Sequence, residues 1–239
     1  MKISAGVLLG FGLLSLNLAH ADFVAYNDLA GFSPPNATSI GLNGSGLLKD
    51  YDTGTNTSVM LQVSGYLVST LSKPEVPDYF GGGDALAEFD QKIISDDFIK
   101  ESADSPDAWV NLDFSGLDPN KLYTVVVTGN RGANPNRTAK FAISGVDSFV
   151  NQSSIGAPWI GPDWVEFDTG VNTDTGYVAK FADIRVGSDG QMRVTVTPGP
   201  HNGDRNKFFL NQLKLTEIPE PGALGMLCLG GLLLMLRRR

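Results

Sequence analysis

The sequence predicts an all-β fold, a single jelly-roll-like β-sandwich. Three observations support this class. Short apolar stretches that alternate with polar residues recur along the middle of the chain, which is the pattern of half-buried strands. Clusters of Gly, Pro, Asn and Asp separate these stretches at intervals of about 8–12 residues. Helical periodicity is almost absent between them. A sandwich or a jelly roll is therefore favoured.

The strand pattern recurs in several segments between residues 58 and 215. In the alternating segments every second residue is apolar, so these residues share the face toward the core. In chain order they are Val59, Leu61 and Val63, then Val110, Leu112 and Phe114, then Phe141 and Ile143, then Met192, Val194 and Val196. Residues 123–128 are apolar on both faces, which predicts a strand buried on both sides. Residues 178–184 and 208–215 complete the set.

The sandwich is expected to occupy residues 46–217, after an extended entry segment at 22–45. One helix is predicted at 84–94, with Asp84 as its N-cap and with Phe89 among the residues of its apolar face. Residues 73–83 contain two prolines and three glycines and are predicted to form a surface loop.

The N-terminal segment at 1–21 has the order of a secretory signal peptide. Lys2 supplies a positive charge, an apolar run follows from Val7 to Leu18, and Ala19-His20-Ala21 fits a cleavage site. The run is shorter than the roughly 20 residues that span a bilayer. We therefore expect cleavage, with the mature chain beginning near Asp22.

The C-terminal segment at 218–239 combines three parts in a fixed order. Pro219-Glu220-Pro221 precedes an apolar run from Ala223 to Leu236, and the chain ends with three arginines, Arg237, Arg238 and Arg239. The arginines predict a cytoplasmic end for a short transmembrane helix. This order resembles the PEP-CTERM sorting signal of Gram-negative bacteria. The resemblance implies an exosortase as a processing partner, transient anchoring in the inner membrane, and delivery to the cell surface or the extracellular matrix.

A second resemblance covers roughly residues 46–216. Segments rich in Gly, Asp and Thr alternate there with the strands: 46–55, 113–124, 128–131, 138–145, 169–173 and 176–181. The series is similar to a recurring secreted bacterial β-domain with a galactose-binding-like jelly-roll architecture and no established activity. The resemblance implies a fold and a location, and it brings no catalytic residues.

Composition excludes several kinds of partner and site. Without Lys2 and the three terminal arginines, 14 of the 18 basic residues remain against 26 acidic ones, a net charge of −12. Such an acidic chain is not expected to bind nucleic acid. The single cysteine, Cys228, lies in the terminal apolar run, and the chain has two histidines. Cysteine-based and histidine-cluster metal sites are therefore not expected in the exported domain.

A sugar-binding site is one interpretation of the polar loops. Trp159 and Trp164 could cover the apolar face of a sugar ring. The residues expected to bind its hydroxyl groups are Asn130, Arg131, Asp204 and Arg205. The alternative is that Trp164 begins a strand and packs inside. Trp109 should point away from the core-facing set that follows it, either toward a groove or beneath the loop at 73–83.

The sequence calls for no certain cofactor, but a structural calcium ion is one candidate. Asp84, Glu88 and Asp90 supply oxygen ligands of the kind calcium prefers. Their spacing matches no EF-hand loop, and the alternative is a solvated acidic surface.

Motifs of common enzymes are absent from the sequence, including the Gly-x-Ser-x-Gly elbow and His-Glu-x-x-His. We therefore expect an exported, non-catalytic β-sandwich that binds or structures exopolysaccharide. A jelly-roll glycoside hydrolase or polysaccharide lyase remains an alternative, because two carboxylates suffice for glycoside hydrolysis. A purely structural or adhesive matrix component is the other alternative.

Overall fold

A computed structural model describes residues 22–29, 35–72, 82–90, 97–101, 105–132, 135–201, 203 and 206–218. The signal peptide at 1–21 and the predicted sorting signal from Pro219 onward lie outside this part of the chain. Within the described part, no helix is both long and apolar enough to cross a membrane.

The described residues form strands and two short helices. In chain order these are β1 (Phe23–Asp28), β2 (Ser45–Lys49), β3 (Asn56–Tyr66), β4 (Val68–Ser72), α1 (Gly83–Phe89), β5 (Asp97–Glu101), β6 (Trp109–Ser115), β7 (Leu122–Thr128), β8 (Thr138–Ser144), β9 (Val146–Asn151), β10 (Trp159–Ile160), β11 (Trp164–Asp168), α2 (Asn172–Thr175), β12 (Ala179–Val186), β13 (Met192–Pro198), β14 (Phe209–Leu210) and β15 (Gln212–Ile218).

Two antiparallel sheets form the sandwich. The larger has the strand order β10-β11-β8-β13-β6-β3-β2, and the smaller has the order β1-β15-β7-β12-β9. A third sheet of three short strands, β14-β5-β4, is separate from both in its hydrogen bonding. The predicted all-β, jelly-roll-like sandwich is confirmed.

The core lies between the two large sheets. Val59, Leu61 and Val63 of β3 are fully buried, and they join the inward residues of the other strands in one cluster. On the opposite side of the core, β7 is buried along nearly its whole length, as its apolar sequence predicts. On its second face, Val126 packs with Ala85 and Phe89 of α1.

Helix α1 differs in two respects from the prediction. It ends at Phe89, and residues 91–94 of the predicted helix lie outside the described residues. Its N-cap is Gly82, not Asp84, and no side chain caps it. Ala85 and Phe89 pack with Tyr26, Val126 and other apolar residues in a second, smaller cluster, so burial of one face holds this short helix.

The entry segment is part of the sandwich, which corrects the predicted boundary at residue 46. Strand β1 pairs along its whole length with β15, from Phe23 opposite Glu217 to Asp28 opposite Gln212. The alternating hydrophobic pattern is weak in β1 because Asn27 and Asp28 are buried polar residues. The Asn27 side-chain amide donates to the Ile40 carbonyl and accepts from the Ile40 N–H.

Candidate functional site

The solvent-facing side of the seven-stranded sheet carries Trp159 and Trp164, together with Trp109. Successive side chains of a strand point to opposite faces, so the partners of core residues on this sheet point outward. We call this side the outer face, and it includes Tyr66, Trp109, Asn111, Asp113, Lys140, Trp159, Trp164, Arg193, Thr195 and Thr197. In β6, for example, every second residue is half-buried and the residues between are buried.

One end of the outer face carries an aromatic pair. Tyr66 of β3 lies directly opposite Trp109 of β6, and their rings stack with centroids 6.4 Å apart and planes inclined by 27°. Tyr66 is 53% exposed. Trp109 points away from the core, as the alternation predicts. Residues 73–81 of the loop predicted to cover it lie outside the described residues.

Trp164 lies at the end of a row of outward-facing residues that crosses four strands. The register aligns Asn111, Thr195, Ala142 and Trp164 across four neighbouring strands. Thr195 donates a hydrogen bond to Asn111 Oδ1 at 2.8 Å. Trp164 does begin a strand, as one alternative held, but it is half-buried on the outer face. The Lys140 ammonium lies 4.8 Å from its ring centroid, a distance at which a cation is attracted to the ring.

Trp159 forms the third aromatic element, together with His201. The two rings are parallel within 4°, with centroids 4.0 Å apart. His201 is held in turn by Glu166, which is completely buried and lies opposite Trp159 in the β10–β11 pair. Glu166 Oε2 is 2.9 Å from His201 Nδ1, and Glu166 Oε1 accepts from the His201 backbone N–H.

A cleft of about 200 Å³ adjoins the same face. Asp113 and Arg193 line it, and Arg193 Nε donates to Asp113 Oδ1 at 2.5 Å. Ser144, opposite Arg193 in the β8–β13 pair, continues the row. Hydrogen-bonding groups therefore extend beyond the aromatic residues toward the edge formed by the β8–β9 turn.

Asn130 is buried away from the tryptophans, and the Arg131 N–H donates to the carbonyl of Thr169, directly after β11. Asn130 and Arg131 follow β7 of the five-stranded sheet, whereas both tryptophans lie on the seven-stranded sheet. Asn130 is 1% exposed, its amide donates to Thr173 Oγ1, and its N–H donates to Asn211 Oδ1. The Arg131 guanidinium packs over the Phe209 ring. Asp204 and Arg205 lie outside the described residues.

The calcium candidates are not assembled as a metal site. Both oxygens of Glu88 accept hydrogen bonds from ammonium groups, one from Lys180 at 2.6 Å and the other from Lys214 at 2.8 Å. These cations occupy the oxygens that calcium would need, so the geometry at Glu88 is that of a structural ion pair. Asp84 and Asp90 lie at the two ends of α1, and among the described residues no group of three metal-ligating side chains converges.

Shifted pKa values occur on or beside the five-stranded sheet. Burial, with the nearby Glu88 carboxylate, raises the pKa of Tyr26 to about 12. Burial also raises the pKa of Tyr123, whose hydroxyl donates to Glu217 Oε2, and it raises the pKa of Glu217. Tyr123 also accepts a hydrogen bond from the Asp118 N–H. These shifts follow first from burial and then from structural pairs.

Sequence reasoning did not identify Tyr66, Lys140 and Glu166. Tyr66 could have been found, because it continues the outward positions Met60 and Gln62 of the alternating β3 pattern. The contact of Glu166 with His201 joins residues 35 positions apart and has no local sequence signal.

The chain matches no protein-family model and no curated protein. Among solved structures it is similar to three. One is TmCBM61 in complex with β-1,4-galactotriose, at 13% identity and a TM-score of 0.32, over 67% of this chain and 88% of that one. The second is an exo-β-1,3-galactanase from Phanerochaete chrysosporium with galactose, at 12% identity and a TM-score of 0.30, over 70% of this chain and 32% of that one.

The third similar structure is the enzymatically active domain of tailspike protein 4 from bacteriophage CBA120. The identity is 10% and the TM-score 0.28, over 68% of this chain and 19% of that one.

Proposed function

We propose that the protein binds polysaccharide across the outer face. The observation that carries this proposal is the location of the tryptophans. The chain has three, and all three are half-buried residues of one sheet face. Large aromatic residues contribute most to stability when buried in a core, so their concentration on a solvent-facing surface favours a binding role.

The spacing of these residues suits an extended ligand. Trp109 and Trp164 belong to strands separated by three strand-to-strand steps, which is about 14 Å at ~4.8 Å per step. Asn111, Thr195 and Thr197 lie between them with side chains that can donate to and accept from hydroxyl groups. Aromatic rings at both ends and polar groups between them match a sugar chain, which has apolar ring faces and hydroxyl edges.

The carboxylates of the outer face do not favour the hydrolase alternative. Asp113 is paired with Arg193, and Glu166 is buried beneath His201. These two belong to strands three steps apart and to different rows of the register. Asp168 lies two residues from Glu166 on the same face of β11, but its oxygens accept hydrogen bonds from the backbone N–H groups of Asn136, Arg137 and Gly170. A glycosidase requires two carboxyl groups about 5–10 Å apart on either side of the bond to be cleaved. Binding therefore fits this surface better than hydrolysis does.

We also propose that the protein is exported and sorted. The support is the order of sequence features at the two ends: a signal-peptide pattern before Asp22, and Pro219-Glu220-Pro221 with its apolar run and arginines after Ile218. Localisation of a variant with these three motif residues replaced by alanine tests this part. Loss of surface delivery is expected, and unchanged delivery would refute the sorting proposal.

A glycan array tests the binding proposal. The full chain should bind a subset of glycans, and among them we would include β-1,4-galactan and the exopolysaccharide of the producing cells. Trp109→Ala and Trp164→Ala should each weaken binding at least about fivefold, taking as a guide the ~1–3 kcal/mol that a nucleic-acid base gains by stacking on an aromatic ring.

Val150→Ala is the matched control for the array. It truncates a residue that is 47% exposed on β9 of the other sheet, and it should leave binding unchanged. The purely structural alternative predicts no binding by the wild-type chain to any glycan of the array.

A further inference from the structure

His201 has one ring nitrogen fixed and one ring face covered. Nδ1 is 2.9 Å from Glu166 Oε2, and the ring stacks on Trp159. The side chain is nevertheless 44% exposed. The imidazole is therefore held in one orientation while part of it remains accessible to a ligand on the outer face.

The environment of Glu166 determines which nitrogen carries the proton. Glu166 Oε1 accepts from the Thr138 hydroxyl at 2.6 Å and from the His201 N–H at 3.0 Å. These donors favour an ionised carboxylate, which can only accept hydrogen bonds. Nδ1 must then donate to Oε2. In the neutral ring, Nε2 is left unprotonated and becomes a hydrogen-bond acceptor.

We infer that His201 Nε2 accepts a hydrogen bond from a hydroxyl of the bound sugar chain and selects neutral glycans. This inference rests on the proposed function, because the sugar must lie on the outer face. Glu166 and Trp159 act as positioning residues that hold the ring. A site that pairs one hydroxyl with one acceptor discriminates strongly, because an analogue without that hydroxyl leaves the acceptor unpaired.

Protonation of the ring reverses its preference. Imidazolium donates from both nitrogens, so a sugar hydroxyl that donated to Nε2 loses that acceptor and must turn to accept instead, whereas a carboxylate on a glycan gains a charged donor. The groups that face the ring are Glu166 of β11 and Trp159 of β10. Lys140 of β8 lies opposite Glu166 in the register. Lys140 carries the same charge as the protonated ring, which adds to the attraction for an anionic glycan.

The backbone at Gly199 packs closely against the Glu166 carboxylate. A side chain added there would come within 2.1 Å of Glu166 Oε1. The segment that carries His201 therefore lies so close to the carboxylate that no side chain fits between them. This segment shields Glu166 from solvent.

The tautomer can be measured in the full chain by NMR with 15N-labelled histidine. The chain has two histidines, so two ring systems are observed, and a His201→Phe variant assigns them. At neutral pH we expect the His201 ring to carry its proton on Nδ1. A proton on Nε2 in the neutral ring would overturn the inference.

Two variants distinguish the hydrogen-bond acceptor at His201 Nε2 from the stacking of the His201 ring on Trp159. His201→Phe keeps an aromatic ring beside Trp159 but has no nitrogen. In Glu166→Gln, the amide oxygen can still accept from Thr138 and from the His201 N–H, while the amide NH₂ donates to Nδ1 and moves the ring proton to Nε2. Both variants should weaken binding of β-1,4-galactan, or of a neutral glycan selected on the array, by about tenfold, the size of one lost hydrogen bond.

The pH profile completes the test. Binding of the neutral glycan should fall, and binding of polygalacturonate should rise, with the same pH midpoint as the NMR titration of His201. His201→Phe should abolish both changes. Asp183→Asn, which removes an exposed carboxylate from β12, should retain them. If wild type binds a neutral glycan and His201→Phe binds it equally, the His201 inference fails alone; if wild type binds no glycan, the proposed function fails as well.

Discussion

At the scale of single residues, buried polar side chains organise the loops that join the two large sheets. Asn172 is completely buried. Its amide nitrogen lies within hydrogen-bonding distance of Thr128 Oγ1, Gly129 O and Tyr177 O, and its oxygen accepts from the Tyr177 N–H at 2.7 Å and from Thr175 Oγ1. One side chain thus connects the ends of β7 and β12 through the α2 turn.

Asn172→Ala should therefore be strongly destabilising. It leaves buried backbone groups of Gly129 and Tyr177 without a partner, and we expect a loss of about 2–4 kcal/mol in the free energy of unfolding. Asp174→Ala, an exposed position in the same turn, should change it by less than about 0.5 kcal/mol. Urea unfolding measures both. Equal effects of the two variants would contradict the role given to Asn172.

At the scale of elements, helix α1 is attached to the five-stranded sheet by packing and by charge. Partial burial pushes the pKa of Glu88 upward, but hydrogen bonds from Lys180 and Lys214 outweigh burial and hold it below its ordinary value of 4.5. A carboxylate with a lowered pKa contributes stability above the pKa of the unfolded state, and that contribution is lost as the pH falls through the folded-state pKa.

Glu88→Gln should lower the free energy of unfolding at pH 7 by about 1 kcal/mol, a value reduced for partial solvent exposure. The difference from wild type should shrink as the pH falls from 4.5 toward more acidic values. Thermal unfolding from pH 3 to pH 7 follows this change. A difference that stays constant over that range would show that packing, not the carboxylate charge, is responsible. Asp147→Asn, at an exposed position on β9, is the control.

The contact between α1 and the α2 turn depends on two glycines. Gly83 and Gly176 both have positive φ, and a side chain on Gly176 would come within 2.1 Å of the Gly82 carbonyl oxygen. Gly145 also has positive φ, but the nearest atom to an added side chain is 3.8 Å away. An alanine at Gly145 or at Gly176 would have the cost of a positive φ, but only the alanine at Gly176 would also clash with neighbouring backbone.

Gly145→Ala should cost about 1–2 kcal/mol, the penalty of left-handed backbone for an L-residue. Gly176→Ala should cost clearly more, because backbone must move to relieve the clash, and far-UV circular dichroism should show weakened helix signal. Matching losses in chemical denaturation would indicate that the Gly176 contact tolerates a methyl group.

At the scale of the whole molecule, local patterns predicted the strands but not their assembly. Period-two alternation identified the core-facing residues of β3, β6 and β13 and placed Trp109 outward. It could not show that Trp109, Trp164 and Trp159 share one face, because that depends on register across β6, β13, β8, β11 and β10. The burial of Asn130 could not be predicted for the same reason: a polar residue after a strand resembles a ligand-binding residue until its buried partners are known.

The most direct test of the central claim is a fluorescence titration of the full chain with a glycan selected on the array. All three tryptophans of the chain lie on the outer face, so the intrinsic emission reports on that surface. A bound glycan should change the emission saturably, with an affinity equal to that from calorimetry, and the double variant Trp109→Ala, Trp164→Ala should lose both the signal and the heat. Calorimetric binding that leaves the emission unchanged and survives in the double variant would contradict the account.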